Sequence, residues 1–377
     1  MSIDADVIVV GGGAAGGAAA FHLAARGRRV ILLEAGDPES GRGGGGMAAS
    51  VQRWFPFSLQ PAVDQVIQRV GFTWCLEDPV LAELPGEAPF WIASRARLDH
   101  LLSQQAAGAG AEVRHRARVR TLTHAADQRL WCVEAEQQPL LRSRAVVIAD
   151  GSSSTLAAPL GLGPRQPHYA STVAVEVDQP MDDPAMARFD FGLVHHGFCW
   201  AFPRRGGTSI GVGTFIGRQD ADADAVLSRL MPALGLDPRA GERRHSRLRT
   251  WDGHHRLHGD GVVAAGDAAS LCDPFLAEGL RPALLSGCRA AEALDGWLGG
   301  DPAALAGYTS VMRQQWGDSM AWGRRIAQVF YRVPKVGYQL GVKRPTAPQR
   351  IAQILAGEMG YGDIAQRVIR RLMLQRG

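Results

Sequence analysis

The chain has 377 residues, 46% hydrophobic and 21% charged, with a formal net charge of only +4, enough for one large globular unit or two that share a core. No uninterrupted apolar run reaches about 18 residues, so no membrane-spanning helix is expected. Residues 1–4 lack a basic stretch, which argues against a signal peptide. The five cysteines are scattered with no CxxC pair, which excludes a disulfide framework and a zinc site and points to the cytoplasm.

Residues 5–10 (ADVIVV) form a β-branched run of buried parallel-strand type. They lead into Gly11-Gly12-Gly13-Ala14-Ala15-Gly16, then a small-residue helix, then a second strand over 29–34, a βαβ unit in about 30 residues. A glycine loop follows over 41–46, and a helix begins near Ser94 with Arg95 and Asp99. Residues 112–121 and 145–149 read as strands. From Tyr169 to Phe215 the stretches STVAVEV, FGLVHH, FCWAFP and SIGVG predict a separate sheet. Residues 261–265 form one more parallel-type strand, a helix spans about 279–298, and the chain is helical after Met320. The fold class is α/β.

The loop after the first strand carries chemistry. In Gly11-x-Gly13-x-x-Gly16 the first glycine permits the tight turn and the second admits a pyrophosphate close to the backbone. The third packs helix on strand, leaving the helix N-terminus facing the anion. Glu34 closes the second strand, placed to accept hydrogen bonds from a ribose 2′-OH, and an acid there disfavours the 2′-phosphate of NADP. A second strand ending in Gly266-Asp267 lies about 250 residues later. An NAD dehydrogenase has no use for that acid, whereas a flavin's ribityl hydroxyls do.

In this order the motifs resemble the glutathione-reductase-type flavoproteins, in the p-hydroxybenzoate-hydroxylase-like branch, over most of residues 4–320. Asp150-Gly151, with Ser154 beyond, matches that branch's Asp-Gly motif. Arg95-x-x-Leu98-Asp99-x-x-Leu102 matches its helix start, where the arginine approaches the cofactor, and Val119 falls at its adenine-contacting backbone position. The stretch from Asp273-Pro274-Phe275 through Glu278-Gly279-Leu280 to Ser286-Gly287 narrows the resemblance to geranylgeranyl reductases. So does Phe198-Cys199-Trp200-Ala201-Phe202-Pro203 followed by Gly211-x-Gly213. The resemblance implies bound FAD held by Gly11, Gly13, Ala14, Ala15, Gly16, Glu34, Ala35, Arg42, Arg95, Val119, Asp150, Gly151, Gly266, Asp267, Pro274, Glu278, Gly279 and Leu280. Phe198, Trp200 and Phe202 either line a substrate site or simply face the core. Two departures stand out: Gly44 replaces the cysteine of the family's Lys-x-Cys-Gly-Gly loop, and Ala277 replaces the first glycine of Gly-Glu-Gly.

The implied architecture is a discontinuous FAD domain (1–165 and 250–320), a β-sheet substrate domain (166–249) and a helical C-terminal region (321–377). The implied activity is reduction of an isoprenoid double bond by hydride from the flavin, no catalytic side chain being identified. The alternative is a single-component FAD monooxygenase, and a non-catalytic flavin-binding protein stands third. With one dinucleotide fingerprint, NAD(P)H or a ferredoxin-type donor would bind only transiently. A flavin halogenase is excluded because it needs a lysine near the flavin, and Lys335 and Lys343 both lie in the tail.

Other residues read more plainly. His254, His255 and His258 lack an acid or cysteine at ligand spacing, so no metal is expected. Arg114, Arg116, Arg118 and Arg120 would share one face of a strand, solvated or docking an anionic donor. No aromatic-interleaved basic segment suggests nucleic acid. From Met320 onward there are 11 Lys/Arg against 2 Asp/Glu, leaving 30 against 35 in the rest of the chain. Ile364, Val368, Ile369, Leu372 and Met373 make a helical stripe, with Arg367, Arg370, Arg371 and Arg376 largely off it. Such a stripe ordinarily packs on the protein's own core; the excess of positive charge adds peripheral contact with an anionic membrane to the expectations.

Overall fold

The computed structural model describes residues 3–37, 43–87, 89–215 and 222–374, with side chains to Arg367. Three sheets organise them. In the eight-stranded sheet, β1 (Ala5–Val10) lies between β2 (Val30–Leu33) and the strand Leu141–Ile148, parallel to both. Val262–Ala264 extends it on one side and Glu112–Arg114 on the other. A central parallel strand is covered on both faces, which is why ADVIVV runs apolar without alternation. Helix α1 (Ala14–Ala24) follows β1 and is buried at every residue but His22. Its small side chains let the long helix Leu280–Leu298 approach until Gly287 has no room for a Cβ against the Ala15 carbonyl.

The seven-stranded sheet runs Arg244–Thr250, His168–Val177, Gly207–Thr214, Gly197–Arg204, Met186–Phe191, Arg69–Trp74, Glu77–Glu83. Alternation sorts its faces. Cys199 and Ala201 join Val173, Val175, Ile210 and Val212 in a core covered by the helix Ala223–Ala233. Phe198, Trp200 and Phe202 face the other way. A three-stranded sheet, Gly44–Ala48, Phe90–Ser94 and Val63–Ile67, sits beside the dinucleotide fold.

Four expectations change. Gly44, Gly45 and Gly46 are not a loop but strand, paired with 92–94, because Phe90 folds its ring over Gly46 where any side chain would stand. FGLVHH is a turn, with Gly192 and His196 at φ +84° and +56°, and the strand is the preceding MARFDF. Residues 112–121 are not one strand. Arg116 sits at φ +56° and breaks it, as the Ala117 amide donates to the Glu34 carbonyl. The four arginines are therefore not set along one strand: Arg114 pairs with Glu112, Arg116 with Asp37 and Arg120 with Glu136. Finally, the sheet expected from 166–249 alone recruits Arg69–Trp74 and Glu77–Glu83.

The C-terminal region is helical (Asp318–Arg332, Pro334–Gly341, Ala347–Leu355, Tyr361–Leu374) and is fastened by buried tyrosines. Tyr331 Oη donates to the Phe275 carbonyl at 3.0 Å, and Tyr338 Oη to the Asp78 carbonyl at 2.7 Å. Tyr361 Oη donates to Asp273 Oδ2 at 2.7 Å. Tyr361 is buried and Ile364 packs against the core. The side chains expected to complete the tail stripe and its charge, Val368 to Arg376, lie outside the described residues. No described helix is long and apolar enough to cross a membrane.

Candidate FAD and substrate site

Gly11 leaves β1 at φ +96°, and a Cβ there would collide with the Ala149 carbonyl. Gly16 packs its Cα on the Gly11 carbonyl, while a Cβ at Gly13 would meet only the Arg95 guanidinium, 3.5 Å away. The first and third glycines are thus closed by backbone and the middle one opens to a ligand, the division the motif requires.

Two cavities meet at this point. One, of about 530 Å³, is lined by Gly11, Glu34, Ala35, Val119 and Asp150 among others. The second, of about 490 Å³, is lined by Ala14, Ala15, Gly266, Asp267, Glu278, Gly279 and Leu280. Gly13, Arg95, Ala149 and Gly151 belong to both walls. A molecule with two unlike halves joined at Gly13 fits that plan. Pro274 corrects the sequence reading, being buried behind the loop and lining neither cavity, and Gly16 stands behind the turn. Arg42 lies outside the described residues.

The electrostatics suit a nucleotide. Glu34 accepts the Gly12 and Gly36 amides, each at 2.6 Å, which fixes its carboxylate at the cavity edge. Arg95 Nη2 donates to Asp99 Oδ2 at 3.1 Å, and that neighbour holds the guanidinium pKa above its ordinary value. Arg95 Nε, Asp99 Oδ1 and Asp150 Oδ1 are buried without a hydrogen-bond partner in the protein. Each such atom costs about 1–3 kcal/mol until something bonds it, and a ribose–pyrophosphate offers both donors and acceptors. Burial pushes Asp267 up to about 6, against the pull of Arg95 and Arg249. A carboxyl so placed favours any ligand that donates hydroxyl protons to it. Burial likewise pushes Glu278 up to about 7, although Arg281 Nη2 lies 2.7 Å from its Oε2.

The second cavity continues beyond these groups into a chamber with an aromatic wall, which Thr172, Glu176, Ser209 and Arg247 also line. Phe198, Trp200 and Phe202 all line it, joined by Phe90, Phe189 and Phe215, which the sequence reading missed. The rings pack edge to face: Phe189 meets Phe198 at 5.5 Å and Phe202 at 5.3 Å. Trp200 lies over Gly211, where a Cβ would strike the indole. Core packing and cavity lining are therefore one arrangement here. Lys335 and Lys343 are exposed and line neither cavity, and Lys343 pairs with Asp78. The three tail-side histidines have separate partners: His255 bonds Asp252, His258 bonds Thr309 and His254 lies near Asp318. No cluster of metal-ligating side chains occurs among the described residues.

Residues 6–74 match the family described as FAD dependent oxidoreductase. Together, this match and the geometry make the protein an FAD-dependent oxidoreductase. It is similar to digeranylgeranylglycerophospholipid reductase 1 of Methanopyrus kandleri, 27% identical over 263 residues, 64% of this chain and 68% of that one. It is similar too to menaquinone reductase of Mycolicibacterium smegmatis, 27% identical over 65% of this chain and 64% of that one. The matches span about two thirds of these relatives' own lengths. Among solved structures it resembles a geranylgeranyl bacteriochlorophyll reductase-like protein of Thermoplasma acidophilum, with a TM-score of 0.84 at 19% identity. That likeness covers 97% of this chain and 98% of the other, and so extends through the helical tail.

Proposed function

We propose that the protein reduces a carbon–carbon double bond in an isoprenoid chain. The observation that carries this reading is the aromatic chamber opening from the same cavity as Asp267 and the glycines of the 43–46 strand. It offers a polyisoprene a wall of aromatic rings, with Thr172, Glu176, Ser209 and Arg247 lining the same cavity. Bound FAD, once reduced, supplies the hydride. The residues of this chain do the rest. Gly13 admits the pyrophosphate at the turn that Gly11 and Gly16 close, and Glu34 takes the adenosine ribose. Asp150 and Asp267 accept hydroxyl protons, and Arg95 offsets phosphate charge. Gly279 and Leu280 open the helix whose N-terminal amides face the flavin's polar edge, a position that favours negative charge there. Phe198, Trp200 and Phe202 exclude water and hold the chain in line.

The electron donor, NAD(P)H or a ferredoxin-type protein, would visit without a domain of its own. Contact of the helical tail with an anionic membrane surface would serve a substrate of this kind.

Anaerobic turnover with a reduced donor and a short geranylgeranyl substrate should give product two mass units heavier for each bond reduced. Dioxygen should not be consumed in proportion. Incorporation of labelled oxygen into product would move the assignment to a monooxygenase. Halogenated product surviving in a Lys335→Ala/Lys343→Ala variant would overturn the exclusion of halogenase chemistry.

A further inference from the structure

Six large apolar side chains stand exposed among the described residues, and four of them fall close together: Val329, Val333, Val336 and Leu340, exposed by 48–68%. They are spaced four, three and four residues apart, the spacing that keeps side chains on one side of a helical path. The path bends at Val333, where Asp318–Arg332 gives way to Pro334–Gly341. Phe330 fills the inside of that bend, its ring against Gly337 and Gly341. Tyr331 and Tyr338 point inward to their carbonyl partners. The four aliphatic residues are left on the solvent side with no intramolecular reason to be apolar.

The charge around them is mainly positive: the acids beside them are Glu77 and Asp78, and Asp78 is paired with Lys343. From Met320 to Gly357 the chain carries seven Lys/Arg and no Asp or Glu. Arg325, Arg332, Lys335 and Arg344 are exposed beside the stripe. Apolar residues with an excess of exposed cations around them match an anionic lipid leaflet, whose headgroups take the charge while its acyl boundary takes the valines. This helix is also one side chain away from the aromatic core beside the substrate chamber, since Phe330 meets Phe191 at 5.2 Å and Phe275 at 5.3 Å.

We infer that the bend between these two helices is a membrane-docking face, entering the interfacial layer of an anionic bilayer through Val329, Val333, Val336 and Leu340. The face is separate from the terminal helix. That it brings the chamber to a lipid substrate rests on the function proposed above; the binding itself does not.

The test uses the FAD-loaded, full-length protein sedimented with phosphatidylcholine vesicles, with and without about 30 mol% phosphatidylglycerol. The expected result is partition onto the anionic vesicles only, weakening as salt shortens the range of the charges. V333D/V336D/L340D should lower that partition about tenfold or more, with flavin spectrum and Tm unchanged because all three positions are exposed. V333S/V336S/L340S should also bind more weakly, which separates lost insertion from added repulsion. R325Q/R332Q/K335Q/R344Q should lose the preference for anionic lipid. Three results would each overturn the inference. They are equal partition onto neutral and anionic vesicles, wild-type binding by both triple variants, and a solution dimer that V333D/V336D/L340D dissolves, which would give the face to a second copy. A protein that docks through this face yet reduces no isoprenoid bond would sink the proposed reaction and leave the docking standing.

Discussion

Asp267 shows how a residue placed for a ligand works against the fold that holds it. Burial lifts its carboxyl from 3.8 to about 6. Below the unfolded value both states are protonated and folding is unaffected. Between the two values only the unfolded chain ionises, so stability falls as pH rises, at about 1.4 kcal/mol per pKa unit, and stays lowered above. Asp267→Asn should therefore raise the Tm of flavin-free protein at about pH 7.5 and leave it unchanged near pH 3, below both values. On the proposed placement of FAD the same change would remove a charge-assisted hydrogen bond to the ribityl chain, and FAD retention should fall about tenfold or more. Equal melting shifts at the two pH values, or undiminished retention, would contradict this placement. Ala277 is a second case. It stands at φ +56° in the flavin loop, where an L-residue is strained by about 1–2 kcal/mol. Ala277→Gly should raise Tm by an amount worth about 0.5–1 kcal/mol, with the flavin spectrum kept; a lowered Tm would mean that the methyl packs usefully.

At the scale of elements, the strand Gly44–Ala48 explains a departure from the geranylgeranyl reductase pattern. A Cβ at Gly44 would lie 2.9 Å from the Ala93 carbonyl, so the pairing with 90–94 closes the place where a cysteine stands in the resembled loop. Gly44→Cys should lower stability by about 1–3 kcal/mol; a variant as stable as the parent would show that the strand can open. The same scale shows what could be read from the sequence. β1, α1 and β2 were legible because strand, glycine spacing, helix and closing acid are consecutive and local. The partner strand ending in Asp267 was legible through its motif. The strand Met186–Phe191 was not. Its Asp190 is fully buried, taking hydrogen bonds from Thr73 and Arg188, so a polar pair inside the sheet disguises the alternation. With that strand went Phe189, and with it one wall of the chamber. Strand Arg69–Trp74 was hidden because its partner Met186–Phe191 lies more than a hundred residues away, and no local pattern reports a long-range pairing; Glu77–Glu83 joins the sheet only through its hairpin with Arg69–Trp74.

At the scale of the whole molecule, the helical tail completes the floor of the site. Asp273 accepts the Tyr361 hydroxyl as well as the Phe275 and Leu276 amides. Tyr361→Phe should leave a buried carboxyl oxygen short of a donor, costing about 1–3 kcal/mol, and should loosen FAD without touching it. Because burial already holds Asp273 above the usual carboxylate range, losing that donor raises it further. The stability lost in the variant should then be greater near neutral pH than in acid. A deficit that is the same at both would place the effect in packing alone.

The central position of β1 has a further consequence, for biosynthesis. Its strand and glycine turn leave the ribosome well before its parallel neighbour Leu141–Ile148, and the next strand, Val262–Ala264, which pairs with Leu141–Ile148, follows later still. Asp267 emerges about 250 residues after Gly13. At typical synthesis rates that gap lasts roughly ten seconds to a minute. During it, the strand Leu141–Ile148 lacks its neighbour Val262–Ala264 and the helix of alanine and glycine lacks the cover of Leu280–Leu298. Cofactor capture should therefore wait for Asp267, and flavin shortage in the cell should appear as aggregation of nascent chains before it appears as inactive enzyme.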